Sequence, residues 1–368
     1  MQGTASIKEA KRLLVRRHAT ATNLIGFGQV AVTLLPLALV GWLAVVSRDI
    51  SWVLTAAATL ALALLFIRVF ALMHECGHGS LFRSPWLNRA FGFLFGVAAG
   101  MPQYVWAQHH NHHHLTNGNW DRYRGPLTTL STGEYEALSL SQRRGYRRAR
   151  HLAFAPFGGF VYLIFNPRFN WLRGSAQLLA HQLRGKLRHP RRSLAVHARE
   201  FSCRYWRSRR EYWHMFWNNI VLLSLWGLLC WGIGAPLFFT IYIVSLSLAG
   251  GAGIALFTVQ HNFEHAYASE AADWDLDAGA IEGTSFLILP GWLNWTTANI
   301  GFHHIHHLSA AIPGYRLAAC QAEYQHLFVN VKRIRLFEIP GHLRCILWDK
   351  AARRIISIAE YEQRHARR

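Results

Sequence analysis

Of the 368 residues, 52% are hydrophobic and 16% charged, against about a quarter charged in soluble domains, which argues against a pair of soluble domains and for a membrane protein. The net charge of +20 asks for an anionic partner, and the long apolar runs favour the negative leaflet of a bilayer over nucleic acid. Cys76, Cys203, Cys230, Cys320 and Cys345 are scattered, odd in number and without a C-x-x-C pair, which excludes a disulfide framework or zinc ribbon and suits a reducing compartment.

Residues 1–22 carry Lys8, Lys11, Arg12, Arg16 and Arg17 and are expected to form a basic cytoplasmic arm. The apolar run behind them is too long for a signal peptide and lacks a small-residue cleavage site. Residues 23–46 and 51–72 each have more than twenty nearly uncharged residues, with Arg68 near the second's end. Each is long enough as a helix to cross the ~30 Å hydrocarbon layer. A second such hairpin is expected at 215–231 and 236–260. Between residues 143 and 210 stand sixteen Arg and one Lys against the single acid Glu200, while the short connections carry only Arg48 and Asp49. The positive-inside rule therefore puts the middle segment and both termini in the cytoplasm. Apolar stretches at 86–105, 152–165 and 281–300 are too short or too interrupted to span, and are expected to lie at the interface. The fold class is thus an all-α membrane protein: four transmembrane helices in two hairpins, with a cytoplasmic helical cap. The main domain is expected over 23–320, with a basic tail at 321–368.

Imidazoles cluster beside the ends of these spans. His74 and His78 follow the second, and on a continued helix they share a face. His110-x-x-His113-His114 and His303-x-x-His306-His307 repeat one spacing, and His261 stands where the fourth span ends. Within each H-x-x-H-H box the adjacent histidine points about 100° away from its neighbour, so a box can serve two ions. Nine imidazoles exceed the four of a structural zinc site and argue for two metals, whose element the spacing does not name. His74-Glu75-x-x-His78 also satisfies the H-E-x-x-H pattern of zinc metalloproteases, a reading that leaves the later boxes unexplained. A metal transporter or sensor is the non-enzymatic alternative, but transport sites lie at mid-membrane.

The order of His74–His78, the segment 106–114, Gln260-His261-Asn262-Phe263-Glu264 and the segment 299–308, with Ile312-Pro313-Gly314-Tyr315 behind them, resembles the integral-membrane fatty acid desaturase and hydroxylase family over about residues 24–320. The resemblance implies a non-haem centre of two iron ions, dioxygen as co-substrate, an acyl chain entering from the bilayer, and His74, His78, His110, His113, His114, His261, His303, His306 and His307 as ligands. His109, His112 and His304 are surplus to the pattern. His265 departs from it and competes with His261 as the ligand. Glu75, Glu264, His265 and Asn299 are candidates for holding the ligands in place, with Glu75 or Glu264 expected to accept an imidazole N–H. The implied reaction is desaturation; hydroxylation, acetylene formation or oxidative decarboxylation to a terminal alkene would use the same centre. No haem or flavin signature is present, so electrons are expected from an external, ferredoxin-like donor docking on the basic 143–210 region. The expected location is the bacterial inner membrane.

Overall fold

The computed structural model describes residues 2–366 except 126 and 353; the tips of the expected arm and tail (residues 1, 367 and 368) lie outside the described residues. Four helices are long and apolar enough to cross a membrane. The first, Asn23–Val46, is capped by Thr22, whose side chain accepts the Ile25 N–H. A 3₁₀ turn, Ser47–Asp49, leads to the second, Trp52–His78, capped by Ser51. This helix runs six residues past the apolar stretch because nothing breaks it before Gly79, whose left-handed φ of 73° ends it. His74 and His78 therefore ride on its last turns. The second hairpin, Arg209–Ile233 and Ala235–His261, turns at Gly234 (φ 86°), and His261 is the last helical residue.

Buried Arg68 joins the two spans of the first hairpin. Its guanidinium donates to Thr33 Oγ1 at 2.8 Å and Gln29 Oε1 at 2.6 Å, and to the Trp295 carbonyl, while lying over the Trp295 ring. A charge at the membrane end of a helix is tolerated when its nitrogens are hydrogen-bonded, and each Arg68 guanidinium nitrogen donates once here.

Between the hairpins, Pro85–Ala98 and Gln103–Thr116 form a helical pair, the second carrying the first H-x-x-H-H box. The stretch at 152–165 is not a separate interfacial helix. It passes through Ala155–Gly159 and a π-helical turn, Phe160–Phe165, into the long helix Asn166–Arg188. Its approach to the fourth span is backbone on backbone: a Cβ on Gly159 would stand 2.4 Å from the Ser247 carbonyl and 2.5 Å from the Gly251 nitrogen.

Three expectations need revision. The N-terminal segment is a docked helix, Gln2–His18, with Leu14 buried and Lys11 paired to Asp277 at 2.6 Å. The 281–300 stretch holds a strand, Ser285–Ile288, parallel to Lys332–Arg335. The residues beyond 320 fold back: Cys345–Asp349 pairs with Leu130–Ser131 and with Arg354–Ser357, and Trp348 stacks on Trp120 at 4.1 Å.

Candidate metal centre

Each element delivers its imidazoles by helical spacing. The pairs His74/His78, His110/His114 and His303/His307 are four residues apart, so each pair projects from one helix face. Packing of the three helices with the end of the fourth span then sorts all nine into two groups: His74, His78, His110, His114 and His306 in one, His113, His261, His303 and His307 in the other. The sorting crosses the boxes. His113 leaves its own box's pair to join the third box, and His306 makes the reverse crossing. The groups touch where the His114 and His307 rings stack at 4.1 Å.

Within the five-histidine group, Nε2 atoms are separated by 2.9 Å (His74–His110), 3.0 Å (His110–His114) and 3.1 Å (His114–His306). In the other group the separations are 3.1 Å (His113–His307) and 2.9 Å (His261–His303). Ligands at right angles around an ion, each on a bond of about 2.1 Å, stand about 3.0 Å apart. Hydrogen bonds between the rings do not suffice. Each Nε2 holds one proton or one lone pair, yet that of His110 faces two others, and the buried Nε2 of His78 has no partner among the described residues. A cation shared by the lone pairs fits this donor set.

The imidazole nitrogens are also in the protonation state a metal requires. Burial, and then the neighbouring imidazoles, hold the pKa values of His110, His113, His114, His303, His306 and His307 well below the usual histidine range. Charging them would place imidazolium ions in a low dielectric, so near neutral pH they are lone-pair donors. The His261 Nδ1–H points to the Gly283 carbonyl at 3.3 Å, which leaves its Nε2 free for a metal.

Aromatic rings wall the groups off from solvent. Trp106 stacks on His110 at 4.5 Å, Phe257 stands 4.9 Å from His113 and His261, and Tyr123 packs on His113 at 4.6 Å. Trp106 and Phe257 each sit one helical turn before a ligand, a signal present in the sequence but not used. Gly283 and Tyr123 offered none.

His265 is on the surface at φ 68°, its side chain 73% exposed, while His261 is inside the four-histidine group. His109 and His112 face outward. His304 is buried away from both groups and bonded to Gln321 at 2.7 Å, and burial holds its pKa down at about 4. Neither glutamate accepts an imidazole N–H. Glu264 is half-exposed and paired with Arg354 at 2.9 Å. Glu75 Oε1 is 3.8 Å from His74 Nδ1, beyond hydrogen-bond reach. Its Oε2 instead accepts the Gly314 N–H at 2.6 Å and the Ser80 hydroxyl at 3.1 Å. Asn299, left-handed at φ 63°, donates to the Gly314 carbonyl at 2.9 Å. Gly314 is thus gripped on both sides, tying the segment after the third box to the first. Held there, Glu75 does not take the general-base place of a protease.

The contrast between the two glutamates is testable. Glu75→Ala strands the buried Gly314 N–H, while the Ser80 hydroxyl keeps the Glu75 main-chain carbonyl; the loss costs about 1–3 kcal/mol and is expected to lower the melting temperature by about 1–4 °C. Glu264→Gln removes only an exposed ion pair, worth about 0–1 kcal/mol. A Glu264→Gln variant that melts as early as Glu75→Ala would contradict this assignment.

The fatty acid desaturase family model matches residues 50–335. The chain is 31% identical over 332 residues to a fatty acid desaturase of Bacillus subtilis, covering 89% of this chain and 84% of that one. It is 24% identical to an sn-1 oleoyl-lipid 12-desaturase of Synechocystis, over 81% and 73% of the two chains. It is 26% identical to an sn-1 acyl-lipid omega-3 desaturase (ferredoxin) of Nostoc, over 74% and 68%. With four membrane-length helices and two buried histidine groups already in place, these matches are decisive, and the chain belongs to the fatty acid desaturase family.

Proposed function

We propose that this protein introduces a double bond into a fatty acyl chain, using two iron ions, dioxygen and electrons from an external donor. One ion would be held by His74, His78, His110, His114 and His306, the other by His113, His261, His303 and His307. The observation that carries the reading is the sorting of nine imidazoles, seven of them buried, into two adjoining sets at cis-ligand spacing. When bound, the pair of ions would supply the oxidising power to break an unactivated C–H bond, which no side-chain acid or base can do.

The rest is the work of the chain's own residues. Burial keeps the ligand imidazoles neutral, and the Gly283 carbonyl fixes the orientation of His261. Trp106, Phe257 and Tyr123 exclude water, so that an acyl chain rather than solvent meets the centre. The Glu75–Gly314–Asn299 clamp holds the third box against the first, which is positioning catalysis. The loop charges favour the cytoplasmic side for the histidine groups and both termini, and the membrane we propose is the bacterial inner membrane. A ferredoxin-like donor is assigned to the basic 143–210 region, in keeping with the Nostoc relative's name.

The test is product analysis in cells expressing the chain, by mass spectrometry of lipids and headspace. A new double bond, formed only under oxygen and absent from vector controls, is the expected result. With purified protein and an acidic ferredoxin the rate should fall as salt rises. A terminal alkene or hydroxylated chain would replace desaturation by another oxidation, and a salt-independent rate would move the donor elsewhere.

A further inference from the structure

Within the basic segment, two helices enclose a built cleft away from the histidine groups. Gln177, His181, Arg184 and Arg188 on the helix Asn166–Arg188 face the helix Leu194–Glu200 across a space of about 560 Å³, within the roughly 300–1,000 Å³ of small-ligand sites. Arg192 also lines it. The one lining carboxylate, Glu200, is taken by Arg192 at 3.3 Å, so among the described residues Arg184 and Arg188 have no acidic partner. On its wall the buried Nε2 atoms of His181 and His197 have no hydrogen-bond partner among the described residues; His197 is only 2% exposed, and its Nδ1 stands 4.0 Å from Glu200. The seat of His197 depends on Gly185, where a Cβ would stand 2.5 Å from the ring. Forked guanidinium donors and imidazole N–H groups around one cavity are the chemistry of a phosphoryl anion.

The same helix states where that anion comes from. Phe169, Leu172, Leu179, Leu183 and Leu187 are 40–83% exposed and fall in one stripe of the helix. The stripe begins just after the segment that packs on the fourth span. Laid on a bilayer by that stripe, the helix carries its cleft roughly 120° around its circumference, at the height of the headgroups. We propose that this cleft binds the phosphodiester of an anionic phospholipid, fixing the cap to the membrane surface at a point separate from the metal centre.

The experiment uses the full chain purified in a non-ionic detergent, as wild type and as R184Q/R188Q, with native mass spectrometry and thermal melting as readouts. Short-chain phosphatidylglycerol, phosphatidylcholine and inorganic phosphate are the probes. Wild type is expected to bind one phosphatidylglycerol at least tenfold more tightly than phosphatidylcholine. The variant should lose at least tenfold in that affinity, with lipid-free melting and metal content unchanged, since both arginines are on the surface. Inorganic phosphate that protects as well as phosphatidylglycerol would make this a site for a free anion and overturn the lipid assignment. Unchanged lipid binding by the variant would overturn it too, and if the rate with an acidic donor fell at the same time, the arginines would belong to a protein partner. Lipid binding, melting and metal content do not involve turnover of an acyl chain, so their failure is separable from failure of the desaturase reading.

Discussion

His307→Ala is expected to leave about one metal ion per chain, whereas His78→Ala keeps about two. The first change leaves three imidazoles in a group of four, the second leaves four in a group of five, and four donors are enough for a closed site. Both variants should fall by more than about 100-fold in product formation, since even partners outside the ligand set carry 10–100-fold. The crossing of the boxes sharpens the test. His113→Ala should behave like His307→Ala, emptying the four-histidine group, although its neighbour His114 belongs to the other group. Elemental analysis of the purified variants decides the matter. If His113→Ala and His114→Ala gave the same metal loss, the sorting would be wrong.

Gly159→Val should be the most damaging change far from the histidines. A side chain there meets the Ser247 carbonyl, the Gly251 nitrogen and the Gly250 carbonyl carbon at 2.4–2.8 Å, all backbone atoms with no rotamer to yield. Small residues at such crossings let membrane helices touch, and overpacking one costs ~3 kcal/mol or more. The variant is expected to elute as aggregate in detergent and to hold little metal. Gly253→Ala, in the same span, has nothing within 4 Å of its added carbon and should stay within about 0.5 kcal/mol of wild type. Equal behaviour of the two would remove the close crossing from the account.

The sequence was most readable where structure is local. Spans follow from runs of apolar residues, and the pairs His74/His78, His110/His114 and His303/His307 follow from helical spacing alone. The choice between His261 and His265 needed only the end of a helix, since His261 is its last residue and His265 has already turned to the surface. What was hidden depends on distant partners. Ser285–Ile288 holds three apolar residues behind a serine, equally suited to helix or strand until Lys332–Arg335 arrives to pair with it. Glu75 looked like a support for His74 because they are adjacent, yet its partner is Gly314, far along the chain. The division of the nine histidines into five and four was hidden for the same reason. Spacing shows that His113 diverges from its neighbours, and only packing shows what it meets.

The crossed boxes also set an order on biosynthesis. The four-histidine group is not complete until residues through 307 have left the ribosome, because it draws on His303 and His307. By then all four membrane-length helices have been made, so that group is assembled after the frame that holds it.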